Sequence, residues 1–430
     1  MMLNLEHSVS IVGAGISGIV CAITLARSRA LEGYAIDVYE QSPRVGGRIQ
    51  TNLLSNHYID LGAARFCSQL HGNVYDLVKR FELEFEPFPF TQLRFTQPIQ
   101  KELKTILSNL KPLIDEHKED SFVEFVTSYL GKEKAKAVIL ALGYDSLSMP
   151  IISPHIAYDI IEKHPETQCF TENCGNEWFS LKEGLASLIK ALYEEALKLG
   201  IKFHFESTLV QISNRGNAHS LVIADNQNQQ KEISKGLKII TLPPSRMEKL
   251  DKQFPKRWSN YNYGSSPLFK GFFFYSEPWW RELGLTDHVV ITQNPIRKLY
   301  FKDEKYAFFY TDSDNALYWR DVLSLGEDHY LTTVKKLIAE ALNLPQDVIP
   351  NPELHKNKFW LHGVEFSKEC CPKHPFYQTL SDDSVISLSD AYTHHCGWIE
   401  GGILAGKFTA ESIISQLPTH RETVKEVVYL

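Results

Sequence analysis

The residues Val9-Ser10-Ile11-Val12-Gly13-Ala14-Gly15-Ile16-Ser17-Gly18 form a short apolar run followed by glycines in the spacing G-x-G-x-x-G. This pattern predicts a β-strand, a tight turn and the N-terminus of a helix. The first glycine permits the turn, the second lets a pyrophosphate approach the backbone, and the third lets the helix pack closely on the strand. Because the N–H groups and the dipole of a helix N-terminus attract phosphate, the stretch predicts a dinucleotide site.

A second apolar run, in which Tyr34, Ile36 and Val38 alternate with other residues, leads to Glu40. An acidic residue at the end of the second strand of a βαβ unit accepts hydrogen bonds from a ribose diol. The chain continues with Gln41-Ser42-Pro43-Arg44-Val45-Gly46-Gly47-Arg48, which is basic and rich in glycine. Since a plain NAD-binding domain has no need of such a segment, it indicates a more specialised cofactor site.

The two motifs together, G-x-G-x-x-G with an acidic residue and then R-x-G-G-R, resemble the fingerprint of the FAD-binding flavoproteins of the amine oxidase superfamily. The resemblance implies an α/β (α+β) fold of two domains: a Rossmann-like FAD-binding domain and a mixed-sheet substrate domain with a helical insert. It divides the FAD-binding domain into residues 1–60, 195–258 and 376–430. The substrate domain comprises residues 61–98, 166–194 and 259–375, and the insert, residues 99–165, covers the active site.

The same resemblance implies which residues contact FAD. They are Gly13, Gly15, Ile16, Ser17, Gly18, Glu40, Gln41, Gly47, Arg48, Gly62, Ala63, Ala64, Arg65, Val210, Asp390, Trp398 and Ile399. Among them Val210 is expected beside the adenine, and Trp398 and Ile399 begin a helix whose N-terminus points at the flavin. One departure from the family pattern is Ser389, where a glycine usually precedes the acid. No cysteine stands in an obvious flavin-attachment context, so we expect FAD to be bound without a covalent link.

Two basic residues are candidates for the substrate side of the flavin. Residues 58–66 predict a strand that ends in small residues, which let a backbone lie against a flat ring system, and Arg65 stands at its open end. Lys270 leads a predicted strand of aromatic residues, and in the superfamily a lysine at this distance before the proline equivalent to Pro278 hydrogen-bonds a water at flavin N5. The alternatives are a surface arginine and a solvated lysine.

Residues 99–163 show apolar residues at helical spacing and no strand pattern, so they predict an all-helical segment. Ser121 and Glu124 form a capping box, and Gly131 stands where a helix C-cap is expected. Ser153, followed by a proline, begins a further helix that ends near His164. Because a helix C-terminus favours a positive imidazole, a structural role for His164 is open beside a functional one.

Composition excludes several classes of partner. The formal charge of −7 and the pI near 6.2 argue against nucleic acid or an anionic membrane as a partner, and no segment predicts a membrane span. Seven cysteines without a C-x-x-C pair suggest neither a disulfide framework nor a zinc site, so we expect reduced thiols in a cytoplasm and no metal. A homodimer is compatible with this sequence.

Within this superfamily, the sequence resembles most specifically the L-tryptophan oxidases of violacein biosynthesis. The resemblance extends over almost the whole chain. It is carried by stretches such as Gly143-Tyr144-Asp145, Lys163-His164-Pro165-Glu166, Phe308-Phe309-Tyr310-Thr311-Asp312 and His362-Gly363-Val364-Glu365-Phe366. It implies oxidation of L-tryptophan by O2 to indole-3-pyruvate imine and H2O2, and a downstream enzyme that couples two imines. It also implies that Arg65 binds the substrate carboxylate, Lys270 lies near flavin N5, Tyr310 lies in the pocket, Trp398 is an aromatic wall and His164 is nearby.

Three other functions are compatible with the sequence. An FAD-dependent amine oxidase acting on an aromatic or polyamine substrate would keep the flavin and the lysine but would lack an anchoring arginine. A regulatory FAD-binding protein would hold a cofactor that no amino acid reduces. A dehydrogenase of the Rossmann type would bind NAD and would be colourless.

Overall fold

A computed structural model describes residues 7–90, 92–172, 174–215, 218–250, 263–302, 305–367, 377–379 and 385–417. Within these ranges the cysteines are Cys21, Cys67, Cys169, Cys174 and Cys396, and none is in a disulfide. Cys370 and Cys371, also expected to be reduced thiols, lie outside the described residues. No helix in the described ranges is both long and apolar enough to cross a membrane.

The strands, in chain order, are β1 Ser8–Val12, β2 Ala35–Tyr39, β3 Thr51–Leu54, β4 His57–Asp60, β5 Phe66–Cys67, β6 Phe85–Pro87, β7 Gln92–Arg94, β8 Trp178–Leu181, β9 Lys202–His204, β10 Thr208–Arg215, β11 Ala218–Ala224, β12 Gln230–Ile233, β13 Leu237–Ile240, β14 Tyr263–Phe274, β15 His288–Ile291, β16 Lys298–Lys302, β17 Tyr306–Asp312, β18 Leu354–Ser367, β19 Tyr377–Thr379 and β20 Val385–Leu388. The α-helices are α1 Ile16–Ala26, α2 Gly72–Arg80, α3 Leu103–Leu110, α4 Phe122–Leu130, α5 Lys132–Leu142, α6 Pro154–Glu162, α7 Ala186–Lys198, α8 Pro244–Leu250, α9 Ser313–Ser324, α10 Glu327–Leu342 and α11 Ile399–Gln416. Short 3₁₀ helices connect several of them.

The first six-stranded sheet has the order β19-β20-β13-β1-β2-β9 and is parallel except for the β19–β20 pair. Its central strands are buried because α1, α7 and α11 contribute to the same apolar core, and this explains why β1 reads as a nearly continuous apolar run. Two glycines let α11 approach α1 closely. A Cβ on Gly402 would lie 2.8 Å from Ile16, and one on Gly406 would lie 2.4 Å from the Ser17 carbonyl oxygen.

The second six-stranded sheet has the order β18-β14-β17-β16-β15-β7 and is antiparallel except for the β15–β7 pair. Helices α9 and α10 contribute to an apolar core with one face of this sheet. The core is strongly aromatic: Phe269 and Phe309 stack at 5.6 Å between ring centroids, and Phe309 lies 4.6 Å from Trp319. Rigid aromatic packing of this kind fixes β14, β16 and β17, which carry Lys270, Lys298 and Tyr310.

The predicted position of Lys270 at the start of a strand is wrong. β14 begins at Tyr263, and Lys270 lies in its second half, paired with Tyr310 on one side and Lys358 on the other. The first half of the strand is polar and contains Pro267, which the ladder accommodates at a register shift. Proline within a strand is placed at a bulge because it has no N–H to donate, and it concealed this half of the strand from the sequence pattern.

The predicted continuous strand over residues 58–66 is also wrong. β4 ends at Asp60, and pairing resumes only at β5, so residues 61–65 are not in a strand. The backbone of Gly62 passes so close to the carbonyl oxygen of Arg48 that a Cβ would lie 1.8 Å from it. The Leu61 and Ala63 N–H groups donate to the carbonyl oxygens of Gln50 and Arg48, but this pairing does not continue as a regular strand, and Ala63 and Ala64 are partly exposed.

Helices α3 to α6 form a separate apolar core. The predicted capping box of Ser121 and Glu124 is confirmed at the start of α4, and Gly131 ends that helix at φ +74°. Ser153 caps α6 as predicted by accepting a hydrogen bond from the Ile156 N–H. The division of the chain into domain segments stays a prediction.

Candidate active site

The three glycines of the first motif have different surroundings. Gly13 has a φ of +107°, and a Cβ there would lie 2.3 Å from Thr241 Oγ1. A Cβ on Gly18 would lie 2.0 Å from the Gly13 carbonyl oxygen, whereas one on Gly15 would meet no atom within 4 Å. The open space adjoins the N-terminus of α1, which has no side-chain cap. This arrangement fits a bound pyrophosphate.

Glu40 directly follows β2 and is 7% exposed. Its Oε2 accepts the Ala14 N–H at 2.8 Å, and its Oε1 accepts the N–H and the O–H of Ser42 at 2.9 and 2.8 Å. A carboxylate offers about four lone-pair positions, so these three bonds leave room for a ribose hydroxyl. Glu40 therefore also fixes the glycine turn, a second role that the sequence pattern did not reveal.

Arg48 and Asp390 connect the second glycine motif with the C-terminal motif. The guanidinium and the carboxylate form an ion pair at 2.5 Å, and the Asp390 Oδ2 accepts the Gly397 N–H at 3.2 Å. On the other side, a Cβ on Gly47 would be 3.4 Å from the Gly15 Cα. The structure thus brings both predicted cofactor motifs to the N-terminus of α1.

Four further predicted FAD contacts are Trp398, Ile399, Val210 and Gln41. Trp398 is the N-cap of α11 and Ile399 its first residue, and this helix N-terminus also has no side-chain cap. Val210 is 40% exposed and falls at the register shift that separates its neighbours in the β10–β11 ladder, which suits a backbone contact with adenine. Gln41 is exposed beside Glu40.

The Lys270 ammonium lies against the segment predicted to line the flavin. It donates to the carbonyl oxygens of Asp60 at 3.0 Å and Gly62 at 2.6 Å. Burial lowers the pKa of Lys270 to about 8, an effect that the Asp60 carboxylate opposes and the Arg65 charge reinforces. Lys270 is therefore a buried ammonium, which excludes the solvated lysine that composition alone would have allowed.

Aromatic rings surround Trp398. Ring centroids lie 4.6 Å away for His71, 4.8 Å for His164 and 5.5 Å for Trp178, and Tyr144 lies 4.5 Å from His164. Of these residues, only Trp398 and His164 were predicted from the sequence to lie here. His71 and Trp178 stand in stretches without a family motif, so no local signal pointed to them.

Arg65 forms a bidentate ion pair that the sequence analysis missed. Its NH1 and NH2 groups donate to the two carboxylate oxygens of Glu166 at 2.6 and 3.0 Å, and Glu166 is fully buried. Tyr144 donates to the same carboxylate at 3.0 Å, and Tyr300 donates to it as well. Arg65 is therefore not a surface arginine, but the two terminal nitrogens of its guanidinium already bind Glu166. The only signal for Glu166 was its place in the family-like stretch after His164.

Lys298 is a second buried ammonium that the sequence did not reveal. Its Nζ donates to the Gly143 carbonyl at 2.5 Å and lies 3.8 and 4.4 Å from the ring centroids of Tyr144 and Tyr310. Burial lowers the pKa of Lys298 to about 8, although Asp312 favours the charged form. Tyr310, predicted to lie in the pocket, thus packs beside a cation.

The helix C-terminus does not set the charge of His164. Its Nδ1 does bond the Ile160 carbonyl of α6 at 2.6 Å, but burial and the nearby Arg65 charge lower the pKa of His164 to about 3. Desolvation outweighs the helix dipole because the ring is enclosed by aromatic neighbours. His164 is neutral, and its Nε2 is an acceptor.

The described residues include a cluster of aromatic rings around Trp398, two buried lysines, and open space at the N-terminus of α1. A family model described as flavin containing amine oxidoreductase matches residues 16–414 of the chain. The chain belongs to this family. The predicted FAD cofactor and fold class are confirmed by this match and by the structural neighbours, and the open space at Gly15 fits the cofactor's phosphates.

Curated relatives of this flavin oxidoreductase include L-amino-acid oxidases of snakes. One from Sistrurus catenatus edwardsii is 22% identical over 339 residues, which cover 70% of this chain and 64% of the relative. One from Crotalus adamanteus is 21% identical over 338 residues, with the same coverage. The chain thus matches less than two thirds of the length of these relatives.

Solved structures share the fold at low identity. Cyclohexylamine oxidase from Brevibacterium oxydans IH-35A has a TM-score of 0.69 and 16% identity over 95% of this chain and 99% of its own. Putrescine oxidase bound to putrescine has a TM-score of 0.70 and 15% identity, with the same coverage. These matches establish the architecture of the flavin amine oxidoreductase.

We predict that Lys270→Met slows reduction of the flavin, its reoxidation by O2, or both. Loss of one preorganised donor beside developing charge costs on the order of 100-fold in rate. Anaerobic and aerobic stopped-flow traces measure the two half-reactions separately. Lys358→Met is the matched control because Lys358 pairs with Lys270 across β14 and β18 but is only half-buried. Wild-type rates in both half-reactions of Lys270→Met would reduce Lys270 to a structural residue.

Proposed function

We propose that this protein is an FAD-dependent L-amino-acid oxidase that converts L-tryptophan and O2 to indole-3-pyruvate imine and H2O2. Bound FAD supplies the two-electron oxidation and returns the electrons to O2. The proposal includes the sequence-based expectation of violacein-type bisindole biosynthesis in the cytoplasm, in which a downstream enzyme couples the imines. The snake L-amino-acid oxidases among the relatives support the reaction type.

The observation that carries the proposal is the buried positive charge of Lys270 and Lys298. Lys270 is 9% exposed and Lys298 is 0% exposed, and neither has a carboxylate within 4 Å among the described residues. Asp60 favours the charged form of Lys270 and Asp312 that of Lys298, but neither lysine is in direct contact with these carboxylates. Charges buried in this way are costly, and a further anion placed near them stabilises both. A substrate carboxylate supplies it, whereas a simple amine brings a further positive charge.

Arg65 still has donors for such a carboxylate. Glu166 occupies NH1 and NH2, and of the described residues none accepts a hydrogen bond from the Nε–H. A guanidinium can bind one carboxylate end-on and a second along its Nε edge, because its five N–H groups lie in one plane. We therefore assign the Nε edge of Arg65 to the substrate carboxylate.

The surrounding rings suit an indole. Trp398, Trp178 and Tyr144 offer flat apolar faces, and stacking with area burial favours an aromatic side chain. The neutral His164 presents an acceptor rather than a second donor, which suits an indole N–H or a substrate ammonium. Exclusion of water by these rings strengthens each polar contact to the substrate.

An amine oxidase acting on an aromatic or polyamine substrate is the second candidate. The observation that favours it is the Arg65–Glu166 pair, which neutralises the arginine before any substrate arrives. The fold neighbours cyclohexylamine oxidase and putrescine oxidase are consistent with it. Turnover of tryptamine against L-tryptophan separates the two candidates, because the amine lacks only the carboxylate.

The two lysines also predict a pH dependence. Indole-3-propionate is a suitable probe because it keeps the indole and the carboxylate but has no amine that titrates. Both lysine pKa values lie at about 8, so the ammonium groups are charged below that pH and neutral above it. We expect the affinity of the holoenzyme for the probe to fall as pH rises through about 8, by up to about tenfold per pH unit.

The measurement is the dissociation constant from the change in flavin absorbance on titration with the probe. Lys298→Met should weaken binding at neutral pH and flatten the profile. Lys302→Met is the control, since Lys302 lies on the same strand but pairs with Glu86 at 3.3 Å. An affinity that stays constant from about pH 7 to 10 would show that the lysine charges do not act on the carboxylate.

A further inference from the structure

Glu166 is a fully buried carboxylate held by three side chains. It accepts two hydrogen bonds from Arg65, at 2.6 and 3.0 Å, one from Tyr144 at 3.0 Å and one from Tyr300. Although burial alone would raise its pKa, the Arg65 charge dominates and lowers the pKa of Glu166 to about 2. The carboxylate is therefore ionised at every pH at which an enzyme of this kind works.

A substrate carboxylate on the Nε edge of Arg65 would share one cation with Glu166. Two anions on one guanidinium repel each other, and the repulsion is strong where water is excluded. The same negative charge attracts a positive group in the pocket. Glu166 therefore acts in opposite directions on the two ends of an α-amino acid.

We propose that Glu166 is a specificity-determining positioning residue that makes this site prefer a zwitterionic amino acid to a simple carboxylate. The negative charge of Glu166 lowers the affinity of the site for any anion bound to Arg65. A ligand that also carries an ammonium group regains this affinity, because Glu166 attracts the ammonium. This inference rests on the proposed function, because it requires that Arg65 binds a carboxylate. Discrimination of this kind works by a repulsive element as well as an attractive one.

A purely structural role for Glu166 makes a different prediction. The ion pair joins residues far apart in sequence, so its loss could loosen the site and weaken every ligand alike. If Glu166 selects ligands by charge, removal of its charge should strengthen the binding of an anionic ligand and weaken the binding of a cationic one. A loosened site does not act with opposite sign on two ligands that share the indole and differ in charge.

The experiment uses the FAD-loaded enzyme and the isosteric variant Glu166→Gln. The probes are indole-3-propionate, tryptamine and L-tryptophan, which carry a negative charge, a positive charge and both. We expect binding of indole-3-propionate to tighten by about tenfold or more, binding of tryptamine to weaken, and the KM for L-tryptophan to change less than either.

Tyr300→Phe is the matched control, because it removes one hydrogen bond to Glu166 but keeps the charge, so it should leave the ratio of the two affinities unchanged. If Glu166→Gln yields no folded enzyme, Glu166→Asp is the substitute. Its shorter side chain moves the negative charge away from Arg65, so the affinities for indole-3-propionate and tryptamine should change in the same directions as in Glu166→Gln, but by less. Equal shifts for both probes, or weaker binding of indole-3-propionate, would overturn the inference. Failure of Arg65→Ala to weaken indole-3-propionate would instead overturn the proposed function beneath it.

Discussion

Arg65→Ala should lower kcat/KM for L-tryptophan roughly thirty-fold to several thousand-fold while changing turnover of tryptamine little. Removal of one partner from a buried, hydrogen-bonded charge pair costs on the order of 2–5 kcal/mol, which converts to that range of rates. Lysine at this position should rescue poorly, because it offers a point charge where the site uses a planar fork. Steady-state kinetics of the wild-type enzyme and Arg65→Ala, each with L-tryptophan and tryptamine, isolate the contribution of the carboxylate–arginine contact to kcat/KM.

The buried Glu166 complicates this variant and requires a control. Without Arg65 its carboxylate is left uncompensated, which destabilises the fold by about 3–5 kcal/mol. The double variant Arg65→Ala, Glu166→Gln removes that unpaired charge and should recover stability without recovering turnover of L-tryptophan. Equal loss for L-tryptophan and tryptamine in both variants would make Arg65 structural and would favour the amine oxidase.

Gly15→Val should leave a folded protein that no longer retains FAD. The position has an extended backbone, with φ −71° and ψ 174°, and a Cβ there meets no atom within 4 Å. A valine would instead fill the space assigned to the pyrophosphate. Loss of two charge-assisted hydrogen bonds at about 1.5 kcal/mol each lowers the affinity for FAD by roughly 100-fold or more.

Substitutions at two other glycines are controls for Gly15→Val. At Gly72, at the start of α2, an added Cβ also meets no atom within 4 Å, so Gly72→Val should keep both fold and FAD. Gly18→Ala should unfold the protein, since its Cβ would lie 2.0 Å from the Gly13 carbonyl oxygen. Circular dichroism and flavin absorbance after gel filtration report the two properties separately. Normal FAD content in Gly15→Val would remove Gly15 from the cofactor site.

Local rules explain what the sequence predicted well. The positive φ of Gly13 and the contact of Gly18 with Gly13 belong to one strand–turn–helix unit, and the capping box of Ser121 and Glu124 spans a single turn. Each depends on residues close together in the chain, so the pattern is visible in the sequence. The same holds for the glycine stop of α4.

Long-range contacts explain which features of the site could not be predicted from the sequence. Glu166 meets Arg65 only because the segment after α6 folds back on residues 61–65, and Lys298 becomes a buried cation only when β16 packs beside Tyr144 and Tyr310. Nothing near either residue in sequence encodes these contacts. The neutral state of His164 is similar, since its aromatic enclosure outweighs the local effect of the helix end.

The most direct test of the proposed function is anaerobic reduction of the yellow holoenzyme by individual L-amino acids and amines, followed by flavin absorbance. Because the proposal requires an indole, an amine and a carboxylate together, L-tryptophan should bleach the flavin rapidly. Tryptamine, putrescine and small aliphatic amino acids should bleach it far more slowly. Bleaching by tryptamine as fast as by L-tryptophan, or no bleaching by any amino acid, would contradict the account.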